Sequence, residues 1–229
     1  MNNKAALIQV KREWDGCKRC ALADIRGPDH HVVFGWGKIP ADYLFVYDAP
    51  SEEEAAAGVP LIGRYGELLE TILEDAEFQK DTWAITPMVG CRPYVVLPAT
   101  EDTEEQVRER DPNEDELDIC SPRLEAVIYH VDPRAIITVG EVSWKRLVRP
   151  KDRGDHHTLD AAAGNLFVTH VMGVREKVTY PVIPILPPKK IIANPSSAKH
   201  GPVATTIAAL QRVRYFVNQI KKMEERAEA

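Results

Sequence analysis

"VIPILPPKK", residues 182–190, sets the class of fold expected for this chain of 229 residues. Its first half is an unbroken apolar run of the length of a buried strand. A long helix pattern, "VATTIAALQRVRYFVNQIKKM" (203–223), comes after it, with Ile207, Leu210, Val213, Phe216 and Ile220 expected towards the core. The same succession occurs upstream. The strand "DYLFVY" (42–47) precedes a helix over 66–76, where Leu68, Leu69, Ile72 and Leu73 share one face. The strand "TWAIT" (82–86) precedes a helix over 121–131, opened by Ser121 as N-cap with Pro122 at its first position. The strand "RAIITV" (134–139) precedes the short helix "EVSWKRLV". Strands that alternate with helices predict an α/β fold with a parallel sheet covered on both faces. Right-handed crossovers then place every strand's C-terminal end on one edge, so loops 47–50, 86–93, 139–143 and 186–190 converge on one cleft. The last of these loops carries Pro187 and Pro188, which neither ionise nor donate a hydrogen bond.

Hydrophobic residues make up 44% of the chain and charged residues 28%, the balance of a soluble globular protein. No apolar run is as long as a membrane span. The first residues, "MNNKAALIQVKREW", lack the apolar core of a signal peptide, so a cytoplasmic monomer is expected. Within this stretch Leu7, Val10 and Trp14 have helical spacing. The net charge of −6 weighs against non-specific nucleic-acid binding by the whole molecule. It leaves room for a local basic face, and local charge is what meets phosphates. There is no internal repeat, so residues 1–229 are expected to form one domain. An acidic insertion interrupts it at about 94–119, where ten of the eighteen residues from 101 to 118 are Asp or Glu. A solvated surface loop is the plainer account of it, and a docking site for a protein partner the other.

The four cysteines are Cys17, Cys20, Cys91 and Cys120. A reducing compartment disfavours disulfides. Cys17 and Cys20 form a CxxC pair, close enough to clasp one metal centre, and two further thiols complete a set of four. Zinc and an iron–sulfur cluster both accept four thiolates. The wide spacing of the second pair is unlike a compact zinc ribbon. Cys120 is expected just before a helix N-terminus, where backbone N–H groups favour a thiolate.

Taken in order, "CKRCAL", "VVFGWGKIPADYLFVYDAP", "GVPLIGRYGELLETIL", "ITPMVGCRP", "CSPRLEAVI", "AIITVGEVSWKRLV" and "VIPILPPKKIIANP" resemble the motifs of the iron–sulfur uracil-DNA glycosylases. The resemblance covers most of the chain. It implies a three-layer α/β/α fold around a four-stranded parallel sheet, DNA as partner, and a [4Fe–4S] cluster on Cys17, Cys20, Cys91 and Cys120, with zinc as the alternative. The family's functional residues are not all retained. Its uracil-reading Asn is Pro87 here, its base-stacking Phe is Leu61, and the His that stabilises the departing uracil anion is Pro187. The acid of its "GEAP" motif is shortened to Asp48, and the preceding Gly is Tyr47.

A flipped uracil needs partners on its Watson–Crick edge and an aromatic face to stack on. Proline at 87 and 187 and leucine at 61 supply neither. Asp48 is the candidate for positioning a water, or else it caps the turn after the first strand. Gly58, Gly63 and Gly66 match family glycines and suit tight turns or close approach to a ligand. Lys189 and Lys190, with Ile191 and Ile192 as apolar wedges, are the expected DNA contacts. Lys145, Arg146, Arg149, Lys151, Arg153, Lys199 and His200 extend a basic rim. The leading expectation is a DNA-binding iron–sulfur protein that lacks ordinary uracil excision. The alternatives are a glycosylase for a modified pyrimidine and a protein-binding or replication-associated module.

Overall fold

The computed structural model describes residues 3–100, 104–172, 177–194 and 201–228. Its strands are β1 (Trp36–Gly37), β2 (Tyr43–Tyr47), β3 (Trp83–Pro87), β4 (Tyr94–Leu97), β5 (Gln106–Glu109), β6 (Ala135–Val139), β7 (Phe167–Met172) and β8 (Lys177–Ile185). Its main helices are α1 (Asn3–Trp14), α2 (Ala21–Ile25), α3 (Glu52–Ala57), α4 (Gly63–Asp75), α5 (Glu114–Val131), α6 (Glu141–Leu147), α7 (Leu159–Ala162), α8 (Pro188–Ala193) and α9 (Pro202–Glu228). None of the described helices is long and apolar enough to cross a membrane.

The sheet runs β1-β3-β2-β6-β8-β7. Its middle four strands, β3-β2-β6-β8, are mutually parallel, as expected. β1 and β7 extend this four-stranded parallel core with an antiparallel strand at each edge. β7 escaped notice because Thr169 and His170 break the apolar run of its "FVTHVM" at an edge of the sheet. The inner strands β3 and β6 are buried at every position, which is why they read as continuous apolar runs.

The chain leaves β2 for β3 on one side, then returns across β2 to β6 on the other. Right-handed crossovers in opposite directions put α4 and α5 on opposite faces. The packing agrees: α4 lies against α8 and α9, whereas α1 lies against α5. On α9, Leu210, Val213 and Val217 face the core; Phe216, expected there, is 37% exposed because it falls one step off that stripe.

The helix expected from Ser121 starts instead at Glu114. Asn113 caps it: its side chain accepts the Glu116 N–H at 2.9 Å, and the Glu116 carboxylate accepts the Asn113 N–H at 2.9 Å. This reciprocal box satisfies two donors at once. Ser121 lies within the helix and donates its hydroxyl to the Leu117 carbonyl. Pro122 is an internal proline, tolerated despite the lost N–H. Cys120 therefore sits in the body of α5 and not at its positive end. The acidic loop is likewise corrected: its described part is the β4–β5 hairpin followed by the first turns of α5. Glu114, Asp115 and Glu116 suit the helix dipole there.

Arg123, on α5, is fully buried. Its guanidinium donates to the Phe34 and Met88 carbonyls at 3.3 and 3.2 Å, to Thr86 Oγ1 at 3.0 Å, and to the Pro87 carbonyl. Arg123→Ala should cost on the order of 3 kcal/mol, since several buried carbonyls lose a charged donor and a cavity opens. Urea unfolding of the variant against the wild type measures the loss.

Candidate active site

Tyr47 and Val139 are register partners at the ends of β2 and β6. This is the point where the chain reverses direction across the sheet, and an α/β sheet leaves a crevice there. A cavity of about 310 Å³ lies at this point, within the ~300–1,000 Å³ usual for ligand sites. Its walls come from the turn after β2, from Leu61 and Tyr65, from the segment Glu109–Pro112, and from Pro187 to Lys189. The strand-end loops thus converge as the topology requires.

Asp48 lies at the mouth of α6. Its Oδ1 accepts the Ser143 N–H at 2.7 Å and its Oδ2 the Val142 N–H at 3.3 Å. A Cβ at Gly140 would come within 2.2 Å of that carboxylate, so only glycine allows the approach. Asp48 therefore caps α6 while also lining the cavity. Burial pushes its pKa up, against the pull of the Ser143 and Val142 bonds.

Glu54 opens α3 together with Glu52 and Glu53, where negative charge suits the helix dipole, and it was not among the cavity residues expected from the sequence. With Ser51 it forms the capping box of α3. Its Oε2 accepts the Ser51 N–H at 2.8 Å and its Oε1 accepts the Leu61 N–H at 2.7 Å. Leu61 has a φ of 61°, a left-handed conformation that is unfavourable for a leucine. The Glu54 carboxylate holds it there. Gly66 packs so close that a Cβ would lie 2.3 Å from the Leu61 carbonyl carbon. Burial pushes the Glu54 pKa up. The Tyr47 hydroxyl is buried beside the Glu54 carboxylate; burial, then the Glu54 charge, push its pKa well above the ordinary value. The box Ser51-x-x-Glu54 was legible as a motif, but its second role, reaching across to Leu61, was not.

On the rim, Glu109 bridges Lys189 at 3.3 Å and Arg92 at 3.8 Å. Arg110 grips Glu116 in a bidentate pair at 2.6 and 2.8 Å. Burial works to raise the Glu116 pKa, but Arg110 and the Asn113 N–H prevail and hold it below the usual range.

Among the expected site residues, Tyr47, Asp48, Leu61, Pro187 and Lys189 line the cavity. Pro87 does not: it is buried at the end of β3, with its carbonyl turned to Arg123. Ile191 is 3% exposed and belongs to the core, so it is no wedge for DNA; one turn of α8 points both Pro188 and Ile191 inward. Ile192 is half-buried. Lys190 pairs with Asp160. Much of the expected basic rim is neutralised in the same way: Lys145 pairs with Glu141, Arg146 with Asp118, and Arg149 with Asp152. Lys199 and His200 lie outside the described residues.

Away from this cavity, Cys17, Cys20, Cys91 and Cys120 all line one small enclosed space with Trp14, Leu22 and Val32. Among the described residues, no three His, Cys, Asp or Glu side chains close tightly enough to hold a metal ion. Arg26 donates to Cys91 Sγ at 3.4 Å. Burial raises the thiol pKa values of Cys20 and Cys91, whereas a bound metal centre deprotonates its thiols. Four soft donors around one apolar space fit an iron–sulfur cluster, which spreads its ligands further apart than a single ion does.

Residues 34–211 match the model of the uracil DNA glycosylase superfamily. A type-4 uracil-DNA glycosylase of Sulfurisphaera tokodaii is 36% identical over 141 residues, covering 61% of this chain and 57% of that protein. One of Saccharolobus solfataricus is 28% identical over 184 residues, covering 80% of this chain and 76% of that protein. A third, of Archaeoglobus fulgidus, is 24% identical over 190 residues, covering 83% of this chain and 85% of that protein.

The Arg110–Glu116 pair gives a pH-dependent prediction. The folded pKa of Glu116 is lowered, so its contribution is present above the unfolded carboxylate pKa and is lost as pH falls through the folded one. Arg110→Ala should therefore cost about 1–2 kcal/mol at pH 7 and much less at pH 3. Urea unfolding at both values checks this, and an equal loss at each would exclude the ion pair as its source.

Proposed function

Because this chain belongs to the uracil-DNA glycosylase superfamily, we propose that it acts on DNA, lacks ordinary uracil excision, and keeps its cavity for another base. The observation that carries this reading is the wall of the cavity. Uracil leaves DNA as an anion, and the group that meets it must offset negative charge. Pro187 has nothing with which to do so; Lys189 beside it is taken up by Glu109, and Asp48, Glu54 and Asp111 border the same space. Each raises the energy of an anion beside it. Leu61 offers an aliphatic face where stacking needs an aromatic one. Loss of a single such stabiliser costs on the order of 10²–10³ in rate, and crowded carboxylates add to that.

The retained features support a working site over an empty scaffold. The cavity is formed, Asp48 reaches it as the group to hold a water, and Glu54 fixes its wall. The DNA contacts are Lys189 and Lys190 at its edge, once freed from Glu109 and Asp160. A [4Fe–4S] cluster on Cys17, Cys20, Cys91 and Cys120 pins the N-terminal segment to α5 and to the loop after β3.

Uracil-containing single- and double-stranded oligonucleotides, incubated with enzyme in excess, should lose uracil at least ~10²-fold more slowly than with a type-4 relative. Release at the relative's rate would reject the reading. Anaerobically purified protein should carry about four irons per chain; stoichiometric zinc without iron would reject the cluster.

A further inference from the structure

The charges around the cavity bear on more than the missing uracil activity, provided that the cavity receives a base from DNA, as proposed above. Among the described residues, Lys189 and Arg92 meet Glu109, and Arg110 is engaged with Glu116, which leaves Asp48, Glu54 and Asp111 as the carboxylates of the cavity without a cation partner. Asp48 and Glu54 are met by backbone N–H groups instead. Among the described residues, neither carboxylate is paired with a cation. The charge of Asp111 presses on Asp48 as well. The rings of Tyr47 and Tyr65 also line the space. Aromatic faces beside carboxylates attract a planar cation and repel an anion.

We infer that the cavity takes an N-alkylated nucleobase bearing a positive charge, such as 7-methylguanine or 3-methylcytosine, and releases it from DNA. The chemistry suits the residues present. When the C1′–N bond breaks, its electron pair moves onto the base and cancels the positive charge. The base departs neutral, so no anion stabiliser is needed at position 187. The sugar carbon takes the oxygen of a water, and the proton that water loses passes to the Asp48 carboxylate. The products are a neutral methylated base and an abasic sugar, with no further reactant. Pro187 then costs the reaction nothing, and the carboxylates that oppose uracil release favour this substrate.

The test uses the full chain and oligonucleotides, single- and double-stranded, each with one 7-methylguanine, 3-methylcytosine or uracil. Enzyme is in excess, and a protein-free control corrects for spontaneous loss. Mass spectrometry of the freed base should find a methylated base released at least ~10-fold faster than the control and than uracil. Tyr47→Phe, which keeps the ring but removes the hydroxyl beside Glu54, should slow that release with the melting temperature little changed. Glu54→Gln should slow it about tenfold, but it also disturbs the bond to Leu61. Calorimetry with wild-type protein therefore compares 7-methylguanosine with guanosine, and the cation should bind at least ~10-fold tighter. Equal affinity, or no methylated base released above the control, overturns the inference. If uracil is also untouched, the loss of uracil excision still stands; if uracil alone is released, both readings fall.

Discussion

A single guanidinium, that of Arg123, holds together the parts of this protein that matter for its function. It is fully buried and, among the described residues, meets backbone carbonyls of Phe34, Pro87 and Met88 and no carboxylate. A buried charge is costly unless its hydrogen bonds are made, so the carbonyls around it are fixed in place. Those carbonyls belong to the end of β3 and to the segment leading into β1. The loop they anchor carries Cys91, and the helix that supplies Arg123 carries Cys120. Arg123 itself borders the space ringed by the four cysteines. The carboxyl edge of the sheet and the cysteine site thus share one internal clamp.

The second constraint is the reversal of chain direction between β2 and β6. It opens the crevice, and everything that lines the crevice arrives by a local device. Asp48 is held by α6, with Gly140 as the only residue that lets the helix start so close. Leu61 is held left-handed by Glu54. The Glu109–Pro112 wall is held by Arg110 on Glu116, which is also the capping residue of α5. Each device uses a carboxylate, and together they crowd acidic side chains around one cavity.

The periodicity of the sequence was enough for the parallel sheet, because strands such as "AIITV" and "YLFVY" are buried on both faces and vary little in polarity. It was not enough for β7, whose apolar run is broken by Thr169 and His170 at an edge of the sheet. Pro122 misled the start of α5: proline is common at a first helical position, but the decisive signal was the box Asn113-x-x-Glu116 further back. The missing histidine at 187 and the aliphatic Leu61 were legible from motif position alone. The acidity of the cavity was not, since Glu54, Glu109 and Asp111 come from separate elements and meet only in the fold. Ile191 shows the same limit: matching a motif position did not reveal that a single turn of helix buries it.

The most direct measurement is a crystal structure of the protein with a DNA oligonucleotide carrying one methylated, positively charged base. That base should be turned out of the strand into the cavity between Tyr47 and Pro187, with a ring hydrogen or amino group on Glu54 and the sugar carbon facing Asp48. DNA bound with the cavity empty, or with the base stacked in the helix and the contacts elsewhere on the surface, would contradict a cavity built for a cationic base.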